Sequence, residues 1–435
     1  MKGLDLAKLT SRLDQIQINS NFGRITRVIG LIIESQGPEV SIGELCLIKN
    51  GHHLVRAEVV GFDNNRVLLM PLGEMDGITP GARVIATGEQ LMVKVGEDLL
   101  GKVVDGLGKP IYHQGPLPGL VDVKVKASPP APLTRQRITR PLSLGVRSID
   151  GLLTCGRGQR VGIFSGSGVG KSTLMGMAAR NTAADINVIG LVGERGREVR
   201  EFLERDLGEQ ALARSVVVVA TSDQPALVRV KAAYVTTAIA EYFRNQGHDV
   251  LLMMDSITRV AMAWREVGLT VGEPPATRGY PPSVFAELPK LLERTGTNQH
   301  GSITALYTVL VEGDDFNEPI SDAVRGILDG HILLSRELAD RNHYPAVDVL
   351  GSVSRVMPEV TEQAHLAATG EFKKLLADYR ASEDLINIGA YQPGSNPAVD
   401  RAINKIKEIN DFLRQDMAES SALDETINRL KEIVS

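Results

Sequence analysis

The stretch VGIFSGSGVGKSTLMG, Val161 to Gly176, decides the fold. Apolar residues of strand character run into a loop of small residues, then Gly170-Lys171-Ser172, then a helical pattern. Ser165 to Ser172 reads S-x-x-x-x-G-K-S, one position away from the phosphate-loop pattern, which opens on Gly. A serine is still small enough there for the backbone to turn. A strand that ends in such a loop and passes into a helix aims backbone N–H groups and the positive helix end at one anion. Ser165, Gly166, Ser167, Gly168, Val169, Gly170, Lys171, Ser172 and Thr173 are therefore the candidate nucleotide cradle. Lys171 would meet the β- and γ-phosphates of ATP as a point charge, and the Ser172 hydroxyl would ligate Mg²⁺.

Two acidic strand ends extend the pattern. In DVLLMMDS, Asp255 closes an apolar strand 84 residues after Lys171. A carboxylate at the carboxyl edge of a parallel sheet can hold the water shell of Mg²⁺. In GLVGERGREVREF, Glu194 also follows a strand, where a carboxylate can polarise the water that attacks the γ-phosphorus. Arg195, Arg197, Glu198 and Arg200 follow it. A charged surface turn has the same spacing, and spacing alone leaves both readings open.

Outward from this core the texture changes. Gly23 to about Val95 carries short β-rich runs such as RITRVIGLII and HLVRAEVVGF, broken by Gly, Pro, Asn and Asp, which predicts a small β-barrel or sandwich. ASPPAPLTRQR, Ala127 to Arg137, is a Pro-rich connector. From about Ser143 to Leu350, doubly apolar runs alternate with helical patterns, as in an α/β unit with a parallel sheet. Beyond about Glu362 the chain reads as helical, with one stripe of Val399, Ile403, Ile406, Leu413 and Met417 and another of Leu423, Ile427, Leu430 and Val434. At the other end Leu6, Leu9, Leu13 and Ile16 mark one amphipathic helix, which packs on its own protein or docks a partner. The expected organisation is thus an amphipathic helix over 1–21, a β-barrel over 22–95, an ATPase domain over 96–361 and a helical domain over 362–435.

The bulk numbers bound the function. A length of 435 residues suggests roughly three domains. A net charge of −5 gives no global field toward nucleic acid or acidic membrane. Two cysteines, Cys46 and Cys155, exclude a disulfide framework or a cysteine metal site and suggest a reducing compartment. The first residues lack the apolar core of a secretory signal, and no run of 18 apolar residues occurs, so a cytoplasmic location is expected.

Taken together, SGSGVGKST, GLVGERGREV, LLMMDSITR, GEPPATRGYPPSVFAELPKLLERTG, EGDDFNEPISDAVRGILDGHI and NHYPAVDVLGSVSRV resemble the catalytic subunit of rotary ATP synthases. More closely, they resemble the flagellum-specific and type III secretion ATPases. The resemblance covers nearly the whole chain, LLGKVVDGLGKPI included. It implies a central RecA-like P-loop domain between barrel and helices. It implies Glu194 as the catalytic carboxylate with Arg195 beside it, and Asp255 and Glu198 around the water shell of Mg²⁺. It implies Arg259 near the γ-phosphate and Tyr344 stacked on adenine, although a core aromatic beside a Pro turn would look alike in sequence. Arg355, in GSVSRV, matches the arginine finger that reaches into a neighbouring subunit's site, which implies a homo-hexameric ring.

Three rings are compatible with such a motor: a protein-export ATPase, a rotary catalytic subunit and an RNA translocase. The C-terminal DLINIGAYQPGSNPAVDRAI is similar to the secretion ATPases and lacks the acidic loop that bears on a rotor. One chain carrying both Glu194 and Arg355 can supply both halves of a site. An RNA motor needs a basic, aromatic face, and Phe62 is the main candidate the β-rich domain offers, so no nucleic-acid partner is expected. EGDDFNEP and NHYPAVD lean toward the flagellar branch, because injectisome ATPases more often carry Phe where Tyr344 stands. The resemblance further implies a stator-like regulatory protein at the N-terminal helix, and a stalk protein, export chaperones and substrates at the C-terminal domain. It places the ring peripheral to the inner membrane, at an export gate.

Overall fold

Strands that alternate inward apolar and outward polar residues can hide both faces of a problem at once by closing on themselves. Phe22–Ile29 (β1), Ile32–Gln36 (β2), Glu44–Asn50 (β3), His53–Asp63 (β4), Arg66–Pro71 (β5) and Arg83–Gln90 (β6) do so. They form an antiparallel barrel in the order β1-β2-β5-β4-β3-β6. Its interior holds Ile25, Ile33, Cys46, Ile48, Ala57, Val59, Val67, Leu69 and Val84. The β4–β5 turn uses Asn64 and Asn65 at positive φ, 42° and 68°, as tight hairpins demand. The computed structural model describes residues 22–50, 53–111, 115, 117–311, 315 and 318–435. The expected helix of residues 1–21 lies outside them. The described residues separate into two compact units, 22–91 with 267–273, and 92–266 with 274–435.

In the second unit, Met92–Val95 (β7) pairs with Val121–Lys124 (β9), between them Lys102–Asp105 (β8). Pro141–Leu142 (β10) pairs with Cys155–Gly156 (β11). The main sheet comprises β8 with Arg160–Ser165 (β12), Ile186–Val192 (β13), Ser215–Ala220 (β14), Asp249–Asp255 (β15), Gly296–Thr297 (β16), Ser302–Leu310 (β17), Gly330–Leu334 (β18) and Val353–Ser354 (β19). Its order is β19-β18-β12-β17-β15-β13-β14-β8, with β16 beside β17. All pairs are parallel except those of β16 and β19. Every residue of β13 is buried, as a strand covered by helices on both faces requires. The sheet begins earlier than the apolar runs suggest. Four-residue β8 precedes the Pro-rich connector and still joins the edge beside β14.

The C-terminal helices Gln363–Asn387, Pro397–Leu413 and Leu423–Val434 do not stand apart. Phe372, Leu375, Ile409, Phe412, Leu430 and Ile433 share one core with Leu144, Leu174, Met175 and Met253 of the nucleotide-binding part. Met417 departs from the stripe expected for it: the helix ends at Leu413, and Met417 lies beyond it, 38% exposed.

Candidate active site

Parallel strands end on one edge, so β12, β13, β15 and β17 deliver Ser165, Val192, Asp255 and Leu310 to the same side of the sheet. The strand–loop–helix at Val161–Gly176 is as read from sequence. Gly168 and Gly170 have φ of 79° and 91°, the left-handed region glycine enters at no steric cost. Gly170 starts the helix Lys171–Asn181 with no side-chain cap. Its first N–H groups are therefore left for an anion. Ser165, the departure from the strict pattern, is fully buried, and its hydroxyl has no partner.

Lys171 Nζ lies 2.5 Å from Asp255 Oδ1 and 3.7 Å from Glu194 Oε1. The three side chains are 12%, 5% and 14% exposed, so the charges interact with little solvent between them. The Thr308 hydroxyl of β17 donates to the same Asp255 oxygen at 2.7 Å. Burial works to lower the Lys171 pKa, but Asp255 and Glu194 outweigh it and the net shift is upward. Burial, then the charge of Asp255, pushes Glu194 up to about 7 against the pull of Lys171. Glu198 hydrogen-bonds Glu194 and is itself held low by that bond. Two buried polar atoms here, Glu194 Oε1 and Arg259 Nε, have no hydrogen-bond partner.

The other basic residues divide. Arg259 lays its aliphatic stem over Gly193, where an added Cβ would stand 2.8 Å from its Cβ. Its charge is felt at Lys171. Arg195 stays at the rim, 80% exposed and 3.6 Å from Glu198.

The donors suit Mg²⁺, which takes oxygen ligands and keeps several waters. Ser172, Asp255 and Glu198 are all oxygen donors, and Glu194 Oε1 has no hydrogen-bond partner, with Lys171 Nζ 3.7 Å away. Among the described residues no three His, Cys, Asp or Glu side chains gather tightly enough to hold an ion unaided. An ion here would need phosphate oxygens as well, as Mg²⁺ with a nucleotide has.

Beside the loop opens a cavity of about 570 Å³. Tyr344 forms one wall, 41% exposed, with its ring 3.4 Å from where a Cβ on Gly170 would stand. Thr173, Leu174 and Met177 of the loop's helix form another, and Arg414 to Met417 the third. Arg355 is elsewhere. Its N–H bonds Asp329 O at 3.0 Å, level with Arg160, at the start of β12. The loop leaves the other end, five residues on, about 16 Å away at about 3.3 Å per residue. The Arg355 side chain is exposed, and its guanidinium has no hydrogen-bond or ion-pair partner among the described residues.

Two elements of this site were not legible beforehand. Thr308 sits in ITALYTVLV, and a hydroxyl inside so apolar a strand was the available clue. The Arg414–Met417 wall carries no motif at all.

Family models place the ATP synthase alpha/beta family beta-barrel domain at residues 25–88, the nucleotide-binding domain of that family at 145–354, and the T3SS EscN ATPase C-terminal domain at 361–432. The chain is 57% identical to a flagellum-specific ATP synthase of Bacillus subtilis, over 98% of this chain and 99% of that one. It is 52% identical to a type 3 secretion system ATPase of Xanthomonas euvesicatoria, over 98% and 97%. The assembled ATPase EscN of the enteropathogenic E. coli type III secretion system superposes with a TM-score of 0.90 at 50% identity, covering 95% of this chain and all of that one. A phosphate loop with an uncapped helix, two acidic strand ends around Lys171 and full-length likeness of this degree agree: the chain is an ATPase and belongs to the family of flagellum-specific and type III secretion ATPases.

Proposed function

We propose that this chain works as a homo-hexameric ring that hydrolyses ATP to assist flagellar type III protein export, each site being built from two subunits. The observation that carries the reading is Arg355. It is exposed, unpartnered among the described residues and about a strand length from its own phosphate loop. A guanidinium so placed is free to serve a neighbour and stands well away from its own loop. The flagellar assignment leans on the Bacillus subtilis relative.

In this reading the loop N–H groups and Lys171 hold the phosphates, and Tyr344 stacks on adenine. Glu194 accepts a hydrogen bond from the attacking water, and Arg355 of the next subunit meets the charge on the transferring phosphoryl. Arg259 adds positive charge behind Lys171. Mg²⁺, held by Ser172 and through water by Asp255 and Glu198, would neutralise phosphate charge when bound. The C-terminal helices present the ring to a stalk protein, chaperones and export substrates, peripheral to the inner membrane at the export gate. Residues 1–21 take a regulatory partner. EscN has been seen assembled and with its central stalk EscO, which supports the same arrangement here.

The test of function is direct. The purified chain should turn over ATP with no second polypeptide present. In cells lacking it, export of flagellar subunits should fail, and be restored by the parent chain but not by Lys171→Ala. Turnover that requires a second kind of subunit would favour a rotary catalytic subunit instead.

The carboxyl pair predicts a pH dependence. A base must be unprotonated, and Glu194 loses its proton at about 7 before nucleotide binds. kcat/KM should therefore rise with pH through about 7. Glu198→Gln removes one cause of the upward shift, so its acid limb should move to lower pH. Comparing the two proteins cancels the titration of ATP itself. Coincident limbs would dissociate the profile from this pair.

A further inference from the structure

The cavity beside Tyr344 owes one wall to a connector between two C-terminal helices, and that connector is held from below by buried polar groups. Gln415 is 5% exposed, and its amide is fully engaged. Oε1 accepts from Arg147 N at 2.8 Å, while Nε2 donates to Gly145 O at 2.8 Å and to Glu419 O at 3.0 Å. Its backbone N–H donates to Tyr344 O at 2.9 Å. Arg147, 4% exposed, donates from Nε to Phe412 O at 3.0 Å, bonds Arg414 O and pairs with Glu419. A buried network with its donors and acceptors matched in this way specifies one geometry, and removing a member strands the others. None of these contacts reaches the phosphate loop.

We propose that Gln415, held by Arg147, is a positioning residue for the nucleotide base. Its side-chain amide fixes the Arg414–Met417 connector against Arg147, Gly145 and Glu419, and so sets the Gln415 backbone N–H on Tyr344 O, so the cavity keeps the width a purine needs. The inference rests on the reading that the base occupies this cavity. Its consequence is selective. A contact to the base is made equally in ground and transition states, so its loss appears in KM and leaves kcat. A phosphate chain without a base would not sense it.

The experiment measures ATP turnover, and binding of AMP-PNP and of inorganic tripolyphosphate, in full-length Gln415→Ala, Arg147→Lys, Tyr344→Ala and Gln415→Ala/Tyr344→Ala. KM for ATP should rise about tenfold in Gln415→Ala, the size expected for losing a buried hydrogen-bond set, with kcat within about twofold. Arg147→Lys should fall between that variant and the parent. Tripolyphosphate affinity should be unchanged throughout, which also reports an intact fold. The double variant should lose less than the two single losses combined, because both act through one cavity. A parallel loss of tripolyphosphate affinity would reduce Gln415 to a general structural part and overturn the inference. So would an unchanged KM in Gln415→Ala beside a raised one in Tyr344→Ala. If Tyr344→Ala also leaves KM unchanged, the base lies elsewhere and both readings fall.

Discussion

Glu194→Gln is expected to stop ATP turnover, by about 10²–10⁴-fold, while nucleotide binding survives nearly intact. The carboxylate is largely buried, one of its oxygens has no hydrogen-bond partner, and its proposed work is on a water that the ground state does not strain. Gln keeps the shape and loses the basicity. Lys171→Ala is the contrasting variant. It should abolish turnover and weaken binding too, because the charge proposed to meet phosphates in the ground state is gone. It also leaves Asp255 and Glu194 buried without their cation. Breaking a buried pair costs about 3–5 kcal/mol, and here Glu194 can relieve part of that by taking up a proton. Phosphate release, AMP-PNP titration and thermal melting read the three quantities separately. A Glu194→Gln protein that turns over ATP at a near-parental rate would remove Glu194 from the chemistry.

How far such a site can be read from sequence depends on whether chemistry or topology fixes each residue. The loop was legible because phosphate binding demands small residues, a lysine and a hydroxyl at fixed spacing on a strand–helix turn. Asp255 and Glu194 were legible because apolar strands announce where they end. Thr308 was not, since its partner Asp255 lies on a neighbouring strand and only the register brings them together. The Arg414–Met417 wall depends on how three C-terminal helices pack on the nucleotide-binding core, which no local pattern encodes. The spacing of Met417 fits a helical stripe, but the helix stops at Leu413. β8 escaped because four residues are too few to show a period. Tyr344 and Arg355 are ordinary residues by local sequence, and resemblance alone gave them roles. The geometry then separates them, one at the loop and the other at the opposite strand end.

Arg355→Ala is expected to lower kcat by about 10³–10⁵-fold, the scale of an arginine acting on a transferring phosphoryl. Stability should hardly move, because the side chain is exposed and unpartnered among the described residues. Nucleotide affinity of the isolated chain should be unchanged as well, since its own loop lacks nothing. Activity of the parent protein should rise per chain as concentration carries it through ring assembly.

Mixing two dead proteins tests the two-subunit site most directly. Arg355→Ala keeps a working loop and has no finger to lend, whereas Lys171→Ala keeps the finger and has no working loop. Combined under conditions that let rings form from both, some interfaces pair a good loop with a good finger, and phosphate release should return in part. The recovery should follow the mixing ratio and vanish on dilution below ring assembly. If no ratio restores turnover although both chains enter the same rings, or if activity per parent chain stays flat through ring dissociation, Arg355 does not act in trans and the site lies within one subunit.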